Sequence, residues 1–376
     1  MNDFAFPVPE FEQRLSAIRR KMQERNLDAI IILRPENIFY ASGFRAAHIA
    51  FRTAEFPALI VPAKGDVRLM TRSLEAEATK MQWTPRPVLY KDQEDPYAML
   101  LEVLKESKSE GGRIGIEERV VKLSQFKKAQ AKLPNATFVD MSGLIESVSA
   151  APSDLEAACM KQAAKISEIG FKTGVAAIKE GAYAYEIIGK IHQAMYAAGQ
   201  SDFDKSLVAV WSGPKGGRMH DTNATERVKP GDVATIEIMG VDKYYRAGVQ
   251  GCIYIGGTPP KAISEAHDLV VAMHAAAKAA VNPGAKAGDV FAAANAVYRA
   301  AKGVDYYRRC GGSMGLTQFT IDLVKDRQDV LTPGVSLLIQ TLVDDPVLLT
   351  CASTVVVTED GHSDLTQTLG AKMMTA

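Results

Sequence analysis

A chain of 376 residues exceeds what one compact core ordinarily holds and suits two domains. Its 47% hydrophobic and 23% charged residues are those of an ordinary soluble globular protein. The 44 basic and 44 acidic residues cancel, and no basic stripe stands out, which argues against nucleic acid or an anionic membrane as partner and favours small molecules.

The opening MNDFAFPVPEFEQRL lacks a basic segment followed by an apolar run, and no window approaches the roughly 20 apolar residues of a membrane span. A cytoplasmic location is expected. Residues 9–26 carry Phe11, Leu15, Ile18 and Met22 at helical spacing, and Ala29-Ile30-Ile31-Ile32-Leu33 reads as a buried strand. Further strands are predicted at 57–62, 67–71, 86–90, 113–116 and 136–139, with helices at 73–82, 96–107 and 122–132. This alternation predicts an α/β layered domain over 1–150, and Ser147–Ser153 reads as the linker that ends it.

Ser153 or Asp154 is placed to cap a long helix, with Glu156 in its first turn. Two Ala-rich helices (about 154–179 and 183–199) precede strands at 205–211, 233–241 and 247–255. Two more (about 262–280 and 287–301) precede strands at 336–343 and 347–358. Repeated rounds of paired helices then strands suggest an internal duplication within an α+β domain over 151–376, its helices covering one face of an antiparallel sheet. Cys159, Cys252, Cys310 and Cys351 show no CxxC pairing, so free thiols are expected rather than disulfides or structural zinc.

This order of elements, with Lys229-Pro230-Gly231-Asp232 before a strand, Gly311-x-Ser313-x-Gly315 after a helix and Leu331-x-Pro333-Gly334 before the next strand, resembles the pita-bread family of creatinase, prolidase, aminopeptidase P and methionine aminopeptidase. The resemblance covers essentially the whole chain and implies a smaller creatinase-like N-terminal domain ahead of a pita-bread catalytic domain. It aligns the five metal-ligand positions of the metallopeptidase members with Glu237, Ala247, Gly312, Gln340 and Ala352. One carboxylate and one amide cannot hold a pair of divalent cations, so no metal and no other cofactor is expected. Creatinase is a metal-free member, and its loop histidine aligns with His220, in the Gly- and polar-rich segment 213–222. The two glutamates that clamp its guanidinium substrate align with Val249 and Ala352, which argues against creatine.

His220 is therefore the expected acid/base, with Glu237 costly to bury as an ion on an apolar strand and so either paired or raised in pKa. By alternation Tyr244 and Arg246 are expected on one face, where with Arg309 they bind an anionic group. Gln340 and Cys310, each at or beside a former ligand position, are further candidate substrate contacts. The resemblance also implies a homodimer in which Arg52 reaches the partner's site. The expected function is metal-independent cleavage, by hydrolysis or elimination, of a C–N or related bond in a small anionic or zwitterionic carboxylate-bearing molecule. A non-catalytic binding protein on the same scaffold and a metallopeptidase with rearranged ligands are the alternatives.

Overall fold

The computed structural model describes residues 4–45, 55–83, 86–201, 206–213, 216, 225–367 and 372–376. It divides into two compact units, Met1–Ala150 and Ala151–Ala376.

In the first unit the order is α1 (Val8–Glu24), β1 (Ala29–Ile32), α2 (Pro35–Ser42), β2 (Ala58–Pro62), β3 (Arg68–Arg72), β4 (Val88–Tyr90), α3 (Pro96–Glu106), β5 (Arg113–Ile116), α4 (Leu123–Lys132), β6 (Thr137–Asp140) and α5 (Leu144–Ser149). The strands form one mixed sheet in the order β4-β3-β2-β1-β5-β6. Central β1 is antiparallel to β2 and parallel to β5. Its four residues are wholly buried, as a continuous apolar run requires. The helix expected over 73–82 is instead two short 3-10 turns, Ser73–Glu75 and Ala78–Met81.

The second unit runs α6 (Asp154–Ala177), α7 (Ala184–Ala197), β7 (Leu207–Gly213), β8 (Val233–Asp242), β9 (Tyr245–Tyr254), α8 (Lys261–Ala279), α9 (Ala287–Lys302), β10 (Gly311–Ser313), β11 (Ser336–Val343), β12 (Leu349–Val357), β13 (His362–Asp364) and β14 (Met374–Thr375). Its sheet has the order β10-β11-β12-β9-β8-β7, with β13 on β12 and β14 on β9. Two α-α-β-β-β rounds thus meet through their last strands, β9 against β12, and place β7 and β10 at opposite ends. One round buries Ile187, Ile191, Ile236, Ile238 and Val249 beneath α6 and α7. The other buries Val270, Met273, Phe291, Leu337 and Ile339 beneath α8 and α9. Helices therefore cover one face of the sheet, leaving the opposite face for chemistry.

Helix α6 is fixed at both its cap and its flank. Ser153 Oγ accepts from Glu156 N at 3.3 Å while Glu156 Oε2 accepts from Ser153 N at 2.9 Å, a reciprocal capping box. The Tyr245 hydroxyl donates to Glu156 Oε1 and ties that cap to β9. Further along, Ser167 Oγ donates to Ala247 O at 2.7 Å and accepts from Gly240 N at 2.6 Å. A Cβ on Gly240 would stand 2.6 Å from Ala163 O and 2.7 Å from Ser167 Oγ, so no larger residue fits between strand and helix. Gly240→Ala is expected to lower stability by about 1–3 kcal/mol through this overpacking, read as a lower midpoint in chemical denaturation.

Candidate active site

The β8–β9 hairpin sets the site. Lys243 and Tyr244 both have positive φ (48° and 70°) and form a two-residue turn that pairs Glu237 with Gln250, Met239 with Gly248, Gly240 with Ala247 and Val241 with Arg246. Because side chains alternate, Glu237, Met239, Arg246, Gly248 and Gln250 share the face away from α6. The pairing continues from Gln250 to Ala352 on β12 and from Ala352 to Gln340 on β11, and Gly312 on β10 pairs with Leu338. Glu237, Gln250, Ala352 and Gln340 thus form a row across four strands.

This register corrects two expected positions by one residue. Ala247 points to α6, where it packs with Ala163 and Ala164, so the position facing the row is Gly248. Val249 likewise lies in the core under α6 and α7, and the residue facing the site is Gln250. A one-residue slip moves every side chain of a strand to the other face.

Two polar groups of the row, Glu237 and Gln250, are deeply buried, and Gln340 is partly buried. Gln250, 2% exposed, accepts at Oε1 from Gln340 Nε2 at 2.7 Å and from Thr350 Oγ1 at 2.9 Å. Among the described residues its Nε2 has no partner, and neither has Oε2 of Glu237, which is 6% exposed. Burial alone pushes the Glu237 carboxyl up to about 7.

Apolar residues fill the space beside this row. Met239, Met314, Leu338 and Ala352 form a buried cluster, with Phe319 against it. A Cβ at Gly248 would touch Leu338 Cδ1 at 3.1 Å, and one at Gly312 would stand 2.4 Å from Phe319 Cδ1 and 2.7 Å from Ile321 O. Phe319 adopts φ +54°, a costly conformation for a bulky residue. It is held there by its N–H to Ser313 O at 2.8 Å and by Thr320 N and Ile321 N donating to Ser313 Oγ at 2.9 and 3.0 Å. Arg309 lies over the Phe319 ring at 3.9 Å and pairs with Asp322 at 3.2 Å.

The residues present do not fit a pair of divalent cations. Such ions need several carboxylates or imidazoles converging at about 2.0–2.6 Å. The five positions offer one carboxylate, one amide and three residues with no donor atom in the side chain. No cluster of three or more His, Cys, Asp or Glu able to hold a metal ion occurs among the described residues.

Of the other expected site residues, Arg246 is buried on the face of Glu237. Tyr244 is corrected: it is the second turn residue, not a strand residue alternating with Arg246. Cys310 is corrected too: fully buried, it packs with Leu323, Leu331, Leu337 and Ile339 in the core, and burial pushes its thiol up to about 12, so it is no substrate contact. His220 and Arg52 lie outside the described residues. Gln250, Met239, Met314 and Phe319 were not expected at the site. Gln250 and Met239 follow by alternation once the turn is placed at Lys243-Tyr244.

A helix-covered antiparallel sheet built from two matching halves, with a polar row on its open face, defines the pita-bread architecture. The chain belongs to metallopeptidase family M24, whose model matches residues 158–359, preceded by a creatinase/prolidase N-terminal domain over residues 14–148. An uncharacterized hydrolase/peptidase of Sinorhizobium fredii is 24% identical over 378 residues, covering 96% of each chain. In fold the chain is similar to a dipeptidase from Pyrococcus horikoshii (TM-score 0.85, 23% identity, 96% of this chain and 100% of that one). It is also similar to an Xaa-Pro dipeptidase from Bacillus anthracis (TM-score 0.84, 18% identity, 97% and 100%). No helix among the described residues is long and apolar enough to cross a membrane.

Proposed function

We propose that this protein is a metal-independent hydrolase that cleaves a C–N bond in a small carboxylate-bearing molecule. Hydrolysis rests on membership of a peptidase family and on relatives named as peptidases and dipeptidases. Metal independence rests on the donor set. The observation that carries the mechanism is Glu237: a buried carboxyl on the site face, with a free oxygen and a pKa near 7, able to hold or release a proton at working pH.

Water adds to the carbonyl carbon, the C–N bond breaks, and Glu237 delivers the proton that the departing nitrogen needs. His220, assigned from the resemblance, takes the proton from the attacking water. Arg246 anchors the substrate carboxylate on the same face. The homodimer and the reach of Arg52 to a partner's site remain part of the proposal on the resemblance alone.

The relatives' names also favour a second reading, a metallopeptidase with rearranged ligands. Assaying amine release from N-acyl amino acids, amino-acid amides and dipeptides, with and without excess chelator, separates the two. The proposal expects turnover unaffected by chelator and reduced by about 10²–10⁴-fold in His220→Ala. Turnover abolished by chelator, or undiminished in the variant, contradicts it. β-Elimination, which releases an alkene without consuming water, would show as a new ultraviolet absorbance.

A further inference from the structure

The row Glu237–Gln250–Ala352–Gln340 contains a buried acceptor and a buried donor facing the same side of neighbouring strands, each without a partner among the described residues. Directly paired residues in an antiparallel sheet hold their Cβ atoms about 5 Å apart, so the two groups reach one small ligand together. Gln250 is not free to turn away: Gln340 and Thr350 both donate to its Oε1, which leaves Nε2 as the unused donor. Ala352, the next residue in the row, adds no polar atom to it and packs with Met239, Met314 and Leu338.

We infer that Glu237 and Gln250 together grip the two polar atoms on one edge of an uncharged amide: the ligand N–H donates to Glu237 Oε2 and its C=O accepts from Gln250 Nε2. Only an amide with N–H and C=O on the same side presents that edge, namely a primary carboxamide or a lactam. A trans secondary amide carries the two on opposite sides. An Xaa-Pro bond is a tertiary amide with no N–H, and would leave Glu237 unmatched. A guanidinium offers only donors, which Gln250 Nε2 cannot accept. Met239, Met314 and Leu338 supply an apolar wall beside the row, and a charged head without a matched counter-charge would be costly there. The raised pKa of Glu237 fits a partner that is neutral rather than cationic. This names the substrate class of the proposed hydrolase and rests on the same site.

The test is direct binding, by titration calorimetry or ligand-observed NMR, of four probes with similar skeletons. Succinamate and 2-pyrrolidone-5-carboxylate carry the amide edge; succinate and 3-guanidinopropionate do not. Wild type is expected to bind the first pair at least ten-fold more tightly than the second. Gln250→Leu should erase that preference. Gln250→Glu, nearly isosteric in case the leucine variant fails to fold, should shift preference to 3-guanidinopropionate. Equal or better binding of succinate or 3-guanidinopropionate by wild type, no binding of either amide, or an unchanged preference in both Gln250 variants would overturn the inference. Amide binding by a wild type that hydrolyses nothing would leave this inference standing and remove the hydrolase reading.

Discussion

Glu237→Gln is expected to stabilise the protein at pH 8 while removing its activity. The carboxyl is raised from 4.5 to about 7 by burial, so the folded state binds its proton more tightly than the unfolded chain does. Stability from this group is complete below about pH 4.5, declines as pH rises toward 7, and is lost above it. The whole shift corresponds to about 3 kcal/mol. A neutral glutamine carries no such penalty. The variant should therefore match wild type at pH 4 and exceed it at pH 8 by up to about 3 kcal/mol, measured by chemical denaturation at both pH values. Turnover should fall by on the order of 10²–10⁴-fold, because the amide delivers no proton. In wild type the rate should decline above about pH 7 as Glu237 loses the proton it donates. The protonated form that donates is thus also the form that the fold tolerates, and the stability cost falls on the ionised form above about pH 7. Equal stability of variant and wild type at pH 8 would show that Glu237 is not buried as an unpaired acid.

Gly312→His, which places the histidine of the metallopeptidase members at this position, is expected to destabilise the protein without creating a metal site. Its Cβ would stand 2.4 Å from the Phe319 ring and 2.7 Å from Ile321 O, and neither can recede freely. Phe319 is already pinned at φ +54° by the bonds to Ser313 and covered by Arg309. Overpacking of this kind costs about 1–3 kcal/mol, and here a backbone carbonyl is among the obstacles. Adding Phe319→Ala should relieve the ring clash and recover part of the loss, a coupling that a double-mutant cycle measures. Zinc or manganese should leave the melting temperature of Gly312→His unchanged, since binding a folded-state ligand would raise it. A metal-dependent rise in that variant would mean that the remaining groups converge better than the row indicates.

The sequence made much of this visible and missed the rest for physical reasons. Ser153 and Glu156 signalled the start of α6, since a hydroxyl cap with an acid three residues on is a local motif with a local mechanism. Four of the five altered ligand positions, Glu237, Gly312, Gln340 and Ala352, fall on one face of the sheet. The fifth slipped by one residue because the hairpin turn, Lys243-Tyr244, lacks the Gly or Asn that usually marks two positive φ values. The same slip hid Gln250 behind Val249. Helix α2 is only eight residues long, too short for its periodicity to stand out, and the end of the six-residue α5 overlaps the expected linker 147–153. Strand β10 consists of Gly311-Gly312-Ser313, whose composition disfavours a strand, and exists through pairing with β11. Cys310 had the right neighbours in sequence and the wrong side of the sheet in space. The apolar filling by Met239, Met314, Leu338 and Phe319 comes from four separate segments, and no local pattern announces it.

On this M24 scaffold an amide-and-carboxyl row packed against apolar residues occupies the positions where metal ligands are expected. The decisive measurement is elemental analysis of the protein, purified without chelator and dialysed against zinc, manganese and cobalt in turn. No stoichiometric retention of any of the three is expected. One or two equivalents retained per chain, and lost on Glu237→Gln, would contradict that.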